Sequence, residues 1–321
     1  MQVIISRMKS LAVLALASST ALLLAACGSD SDTASDGESS AATAGAPVSV
    51  AAAFYPLAFL VEQVGGDRVE LSDLTPPGTE PHDLELAADA LVTLEEADLV
   101  VFQEGFQPAV DDALAARDGN VLDLSPVATR TLGQEEAPAQ GEEAEYKPGL
   151  DPHFWNDPSI YADAAMLVAD ALVAADPEGE DAYRANADAL VAELTAIDEE
   201  AAEALSSCAI TTLVTGHEAF GYFADRYGFD NVPIAGISPE AEPSASALAE
   251  VTDIVRAKGV TTIYTETLAA PDIAETVAAE TGAKTAVLDP LEGITDQSAG
   301  TDYPSIMRVN IDAVVAGQQC L

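Results

Sequence analysis

The chain has 321 residues and a formal net charge of -43, with 49% hydrophobic and only 5% aromatic residues. The apolar content excludes a disordered chain, and the length suits two domains at roughly 150 residues each. So acidic a surface repels polyphosphate and anionic headgroups, which excludes nucleic acid and direct lipid-surface binding as expected partners.

In chain order, the first segment reads as a processing signal. Arg7 and Lys9 precede an uncharged apolar run from Leu11 to Ala26, which ends in Leu24-Ala25-Ala26-Cys27. The run is short for a membrane span, and small residues followed by cysteine suit cleavage after residue 26. This stretch resembles the lipobox of bacterial lipoproteins. That resemblance implies a signal peptide at 1–26, a lipidated Cys27 and an exported protein held on the outer face of the cell membrane. Residues 28–46 contain no large apolar side chain and read as a flexible tether, so 27–47 is taken as anchor and tether.

From Val48 onward, short β-branched runs alternate with Ala-rich stretches of helical spacing. Strands are expected at 48–53, 69–74, 99–102 and 121–124, then at 210–215, 232–237, 262–265 and 285–288. Helices are expected at 57–64, 87–95, 159–174, 245–257 and 270–281. Strand alternating with helix predicts an α/β protein of two lobes, each a mostly parallel four-stranded sheet flanked by helices. Between the lobes, residues 181–205 place Tyr183, Ala187, Leu190, Val191, Leu194, Ile197 and Ala201 on one helical face, with no Pro or Gly. One long rigid helix is therefore expected to join the lobes. The organisation is an N-terminal lobe at 48–180, a linker helix at 181–206 and a C-terminal lobe at 207–321. Residues 134–149 are acidic, contain two prolines and lack periodicity, and read as a surface loop. Cys208 and Cys320 make an even pair in an exported chain; a disulfide between them and two buried free thiols are both open readings.

Three histidines are present: His82, His153 and His217. His82 follows the second expected strand and His217 the fifth. His153 precedes a helix, and a carboxylate, Asp289, follows the eighth strand. Ligands of open α/β sheets sit beyond the C-terminal strand ends, so all four converge if the two sheets face each other by those edges. Imidazole and carboxylate together suit tetrahedral Zn²⁺ rather than the all-oxygen shells of Ca²⁺ or Mg²⁺. Four protein ligands leave no open position, which favours holding an ion over catalysis. The residues alone keep a metal receptor and a zinc hydrolase open; the resemblance to lipoproteins that double as adhesins adds a surface adhesin, for which no sequence feature speaks. No HExxH, Gly-x-Ser-x-Gly or P-loop pattern occurs to support an enzyme.

Several segments together resemble the zinc- and manganese-binding solute receptors of ABC transporters. They are Phe54-Tyr55-Pro56-Leu57, Glu80-Pro81-His82-Asp83, the stretch from Asp151 to Pro158, the stretch from Thr215 to Phe223, Leu288-Asp289-Pro290-Leu291 and Asp302-Tyr303-Pro304-Ser305. The resemblance runs from about Val48 to the end of the chain. It implies two α/β lobes joined by a long helix, a metal site of His82, His153, His217 and Asp289 in the cleft, and a permease partner. Manganese members usually carry Glu at the third ligand position. His217 there resembles the zinc branch, so Zn²⁺ is the expected ion, with Mn²⁺ as the alternative. Glu266 is a reserve ligand or a residue behind the ligands. Many zinc members carry a His-rich loop before the second ligand. The corresponding loop here is acidic, with Glu135, Glu136, Glu142, Glu143 and Glu145, and has no histidine. A monomer is expected.

Overall fold

The first sheet begins with β1 (Val48–Ala52), whose sequence Val-Ser-Val-Ala-Ala gives a strand of small side chains that can be covered on both faces. A computed structural model describes residues 46–115, 117, 119–131 and 150–321. The expected signal peptide at 1–26, Cys27, all but the last two residues of the 27–47 tether, and the acidic loop at 134–149 lie outside the described residues. After β1 come α1 (Tyr55–Gly65), β2 (Val69–Asp73), α2 (Ala88–Glu96), β3 (Leu99–Phe102), α3 (Pro108–Leu114) and β4 (Val121–Asp123). The strands run parallel in the order β2-β1-β3-β4. The order reverses direction between β1 and β3, which opens a crevice at the C-terminal strand ends.

Two long helices follow. In α4 (Pro158–Ala175) the first turn is fixed by Pro158 and by Asp157, whose carboxylate accepts the Ser159 N–H at 2.8 Å. In α5 (Glu180–Ala204) the buried face is Tyr183, Ala187, Leu190, Leu194, Ile197 and Ala201, the stripe read from sequence without Val191. This helix packs on α1, on α4 and on the last helix of the chain.

The second sheet repeats the first with β5 (Thr212–Thr215), α6 (Gly221–Tyr227), β6 (Asp230–Pro233), α7 (Ala245–Lys258), β7 (Thr262–Thr265), α8 (Asp272–Thr281), β8 (Lys284–Val287) and α9 (Tyr303–Gly317). Its strands are again all parallel, in the order β6-β5-β7-β8. The sixth strand starts two residues earlier than its apolar run, because Asp230 pairs with Thr212 at the edge of the sheet. Helix α9 is closed at its start by a capping box between Asp302 and Ser305. A disulfide joins Cys208 to Cys320, beside an antiparallel bridge between the same two residues.

The apolar interior is shared between the lobes. The larger core cluster takes Phe54, Leu57, Trp155, Tyr161 and Leu194 from the first half and the linker helix, and Phe220, Phe223, Leu288 and Tyr303 from the second. A smaller cluster, including Val214, Val251, Ile263 and Val277, fills the space between the second sheet and α7 and α8. The described residues accordingly form one compact unit. Polar contacts reinforce the junction. Trp155 Nε1 donates to the Pro290 carbonyl at 2.8 Å, Asn156 Nδ2 donates to the Ala219 carbonyl at 3.0 Å, and the Tyr303 hydroxyl donates to the Trp155 carbonyl at 2.7 Å.

Candidate metal centre

His82 lies in the loop after β2. Glu80 turns that loop by accepting the His82 and Asp83 N–H groups at 3.0 and 3.2 Å. Gln107, at the start of α3, donates to Thr75 Oγ1 and to the Pro81 carbonyl, pinning the loop at both ends. The Phe106 ring meets the imidazole edge-on, with centroids 4.5 Å apart. The position of His82 is thus set by buried packing and by hydrogen bonds from a neighbouring element.

His153 sits just before a short 3-10 turn (Phe154–Asn156) that leads into α4. Asp151 Oδ1 accepts both the His153 backbone N–H at 3.0 Å and Nδ1 at 2.8 Å. His217 follows β5 by two residues, and Glu266, at the end of β7, holds it in the same way. Glu266 Oε1 accepts the His217 N–H at 2.8 Å and Oε2 meets Nδ1 at 2.5 Å. The carboxylate lies so close to the chain that a Cβ on Gly216 would stand 2.5 Å from Glu266 Oε1. Only glycine leaves room for the pair. In both histidines a carboxylate engages Nδ1, which fixes the ring and leaves Nε2 turned to the cleft.

The three Nε2 atoms converge on Glu292. Its Oε1 lies 3.1 Å from His217, 3.2 Å from His153 and 3.5 Å from His82. The candidate ligand atoms of His82, His153, His217 and Glu292 all lie within 4.8 Å of one another, and all four residues are buried. Two come from each lobe. The sequence reading placed Asp289 in this set, and the geometry places Glu292 there instead. Asp289 is turned to its own loop. Its Oδ1 accepts the Leu291 N–H at 2.9 Å, its Oδ2 accepts from Ser298 Oγ at 2.8 Å, and its backbone exchanges two hydrogen bonds with the Asn310 side chain. Those contacts support a turn in which Leu291 adopts φ 62°, and the turn carries Glu292 into the cleft. The sequence did contain a signal for it, a second carboxylate three residues beyond Asp289 at the same strand end. Glu266 stands behind His217, away from the other donors.

Burial and charge oppose each other in this cluster. Burial pulls His82 below the usual imidazole range. Burial acts downward on His153 as well, but Asp151 and Glu292 outweigh it and the net shift is upward. The same opposition leaves His217 held well above its ordinary value by Glu266 and Glu292. For Glu292 burial acts upward, and the three histidines overcome it, holding the carboxyl well below its ordinary range. Burial and the nearby Glu292 push Glu80 up to about 7. His153 and His217, both raised, surround the lowered Glu292 carboxylate and balance its charge within the cluster. The donor set of three imidazoles and one carboxylate fits a four-coordinate zinc site closed to outside ligands.

A sequence profile described as zinc-uptake complex component A, periplasmic (ZnuA) matches residues 50–317. The zinc-binding lipoprotein AdcA of Streptococcus pneumoniae is 34% identical over 316 residues, covering 96% of this chain and 60% of that protein. The chain therefore spans about 60% of the length of this curated relative. The high-affinity zinc uptake system protein ZnuA of Bacillus subtilis is 31% identical over 91% of this chain and 93% of its own length. Among solved structures, the Zn(II)-bound ZnuA-like domain of S. pneumoniae AdcA superposes with a TM-score of 0.69 at 32% identity, over 85% of this chain and 99% of that one.

Proposed function

The chain belongs to the ZnuA family of zinc-uptake components, and from that premise we propose that it captures Zn²⁺ outside the cytoplasmic membrane and delivers it to the permease of an ABC transporter. The family is one of transport receptors, not of enzymes. The proposed ligands are His82, His153 and His217 through Nε2 and Glu292 through a carboxylate oxygen. The observation that carries this reading is the convergence of those four atoms within 4.8 Å, two from each lobe. Asp151 and Glu266 support it by engaging Nδ1 of His153 and His217. Imidazole-rich donors favour zinc over the harder Ca²⁺ and Mg²⁺, and His217 at the third position favours it over Mn²⁺.

Cys27 is the proposed lipid anchor, and the residues up to 47 are the tether that lets a monomeric receptor reach its permease. The two-lobe division at 48–180 and 207–321 about the linker helix describes the arms of the cleft. The shared core implies that ion exchange proceeds by opening of the loops carrying His82, His153 and Glu292 rather than by free rotation of the lobes. Calorimetric titration of metal-stripped protein comprising residues 28–321 tests the assignment. One zinc ion is expected to bind tightly, manganese much more weakly, and His153→Ala is expected to abolish the tight event. Weak binding at many sites, indifferent to that substitution, would reduce the protein to an acidic ion sink.

A further inference from the structure

Beyond the candidate ligands, the two halves of the cluster are joined by one arginine. The Arg130 side chain lies between the lobes, 14% exposed. Its Nη1 donates to Asp151 Oδ2 at 2.9 Å within the first lobe and to Glu218 Oε1 at 2.9 Å across the cleft. Its Nε donates to Asp225 Oδ2, on α6, at 3.0 Å. The Arg130 backbone N–H donates to the Tyr222 hydroxyl at 2.9 Å, and that hydroxyl donates to the Asp151 carbonyl at 3.2 Å. Both bridged carboxylates are buried, Asp151 fully and Glu218 to 1%. The shared guanidinium pairs both buried carboxylates, so neither charge is left uncompensated. Each is also next to a candidate ligand: Asp151 Oδ1 holds the His153 ring, and Glu218 directly follows His217. The guanidinium rests on bare backbone at the start of α6. A Cβ on Gly221 would overlap Arg130 and stand 2.6 Å from Asp151 Oδ2.

We infer that Arg130 is a positioning residue of the metal centre, a cross-lobe latch that holds Asp151 against His153 and ties that pair to the segment bearing His217. The inference rests on the zinc-receptor reading. With both oxygens engaged, Asp151 has one orientation, and the His153 ring inherits it. Without Arg130, Asp151 Oδ2 loses the guanidinium donor, Asp151 is free to turn, and the imidazole loses its fixed tautomer and direction. A lysine restores the charge but not the fork that serves Asp151, Glu218 and Asp225 together. The latch acts on ion retention, since it tightens a formed site rather than guiding arriving ions.

The test is stopped-flow release of zinc into excess chelator for the wild type, Arg130→Gln, Arg130→Lys and Gly221→Ala. The visible absorption of the Co²⁺-loaded forms and the melting temperature of the metal-free forms are recorded alongside. Release is expected to be about 10–100-fold faster in Arg130→Gln. Arg130→Lys should be intermediate, and Gly221→Ala should also release faster, because its methyl group crowds both the guanidinium and Asp151 Oδ2 while every charge is kept. The cobalt bands should move in the same variants. Release rates within twofold of wild type and unchanged cobalt bands in both Arg130→Gln and Gly221→Ala overturn the inference, even if melting temperatures fall, because Arg130 would then be only a structural ion pair. Should Arg130→Gln fail to fold, Arg130→Lys decides: release within twofold of wild type and unchanged cobalt bands in that variant overturn the inference. Absence of one-to-one zinc binding in the wild type would instead remove the receptor reading itself.

Discussion

Lowering the pH should loosen zinc from this site more steeply than from three ordinary imidazoles. The ion has to displace protons that the metal-free cluster holds firmly. His217 is held well above the usual imidazole range and His153 is raised, whereas His82 is lowered and Glu292 is already ionised. Around neutral pH, capture therefore expels about one to two protons, which changes affinity by roughly ten- to a hundredfold per pH unit, or about 1.4–2.7 kcal/mol. The metal-free protein should respond in the opposite sense. A histidine whose folded value is raised stabilises the fold fully below its unfolded value of about 6.5, and that contribution is lost as pH rises through the folded value. Glu80, pushed up to about 7, loses stability in the same direction, but between its unfolded value of about 4.3 and about pH 7. His82 opposes it only below about pH 6.5, where its unfolded form takes up a proton, so the window from about pH 7 to 9 is the clean one. Titration calorimetry in buffers of different ionisation heat counts the protons released, and melting with and without zinc across that window reads the two trends. Binding enthalpy independent of buffer, with an affinity constant from about pH 6.5 to 8, would refute the reasoning.

The fourth ligand can be decided by a pair of substitutions. Glu292→Ala should weaken zinc by more than the roughly 10–100-fold that loss of an outer hydrogen-bond partner costs, while Asp289→Asn should stay within about tenfold of wild type; competition against a zinc chelator measures both, and the reverse order would return the ligand role to Asp289. Leu194, fully buried on α5, tests the linker helix as a core element. Leu194→Ala should cost about 2–5 kcal/mol, read as a lower urea midpoint at unchanged slope; a cost below about 1 kcal/mol would mean that the helix is not held by that face.

Local patterns in the sequence identified the strands because β-branched runs such as Leu99–Phe102 and Thr262–Thr265 are bounded by turn or helical residues, and both were found with their expected limits. The linker helix was legible because seven apolar positions over 25 residues repeat at helical spacing. The histidines stood out by rarity and by position at strand ends. What escaped was set by contacts distant in sequence. Glu292 reaches the cleft only because Asp289 and Asn310 fold the intervening turn, and Asn310 lies 21 residues from Asp289. Helices α3 and α6 span seven residues each, too few to show a period. Nor could composition reveal that Tyr303, near the end of the chain, stacks on Tyr161 with centroids 4.4 Å apart and so merges the two interiors.

The Cys208–Cys320 bond turns the second half of the chain into a ring, with the bonded residues 112 apart in sequence. His217 and Glu292 lie on the ring, whereas His82 and His153 lie on the open strand of chain before it. A closure of that size restricts the unfolded ensemble by an amount worth about 4–5 kcal/mol. Covalent topology therefore treats the two pairs of donors differently. One imidazole and its carboxylate partner stay gathered on a loop of limited reach even in the unfolded chain, while the other two imidazoles are brought to them by folding alone.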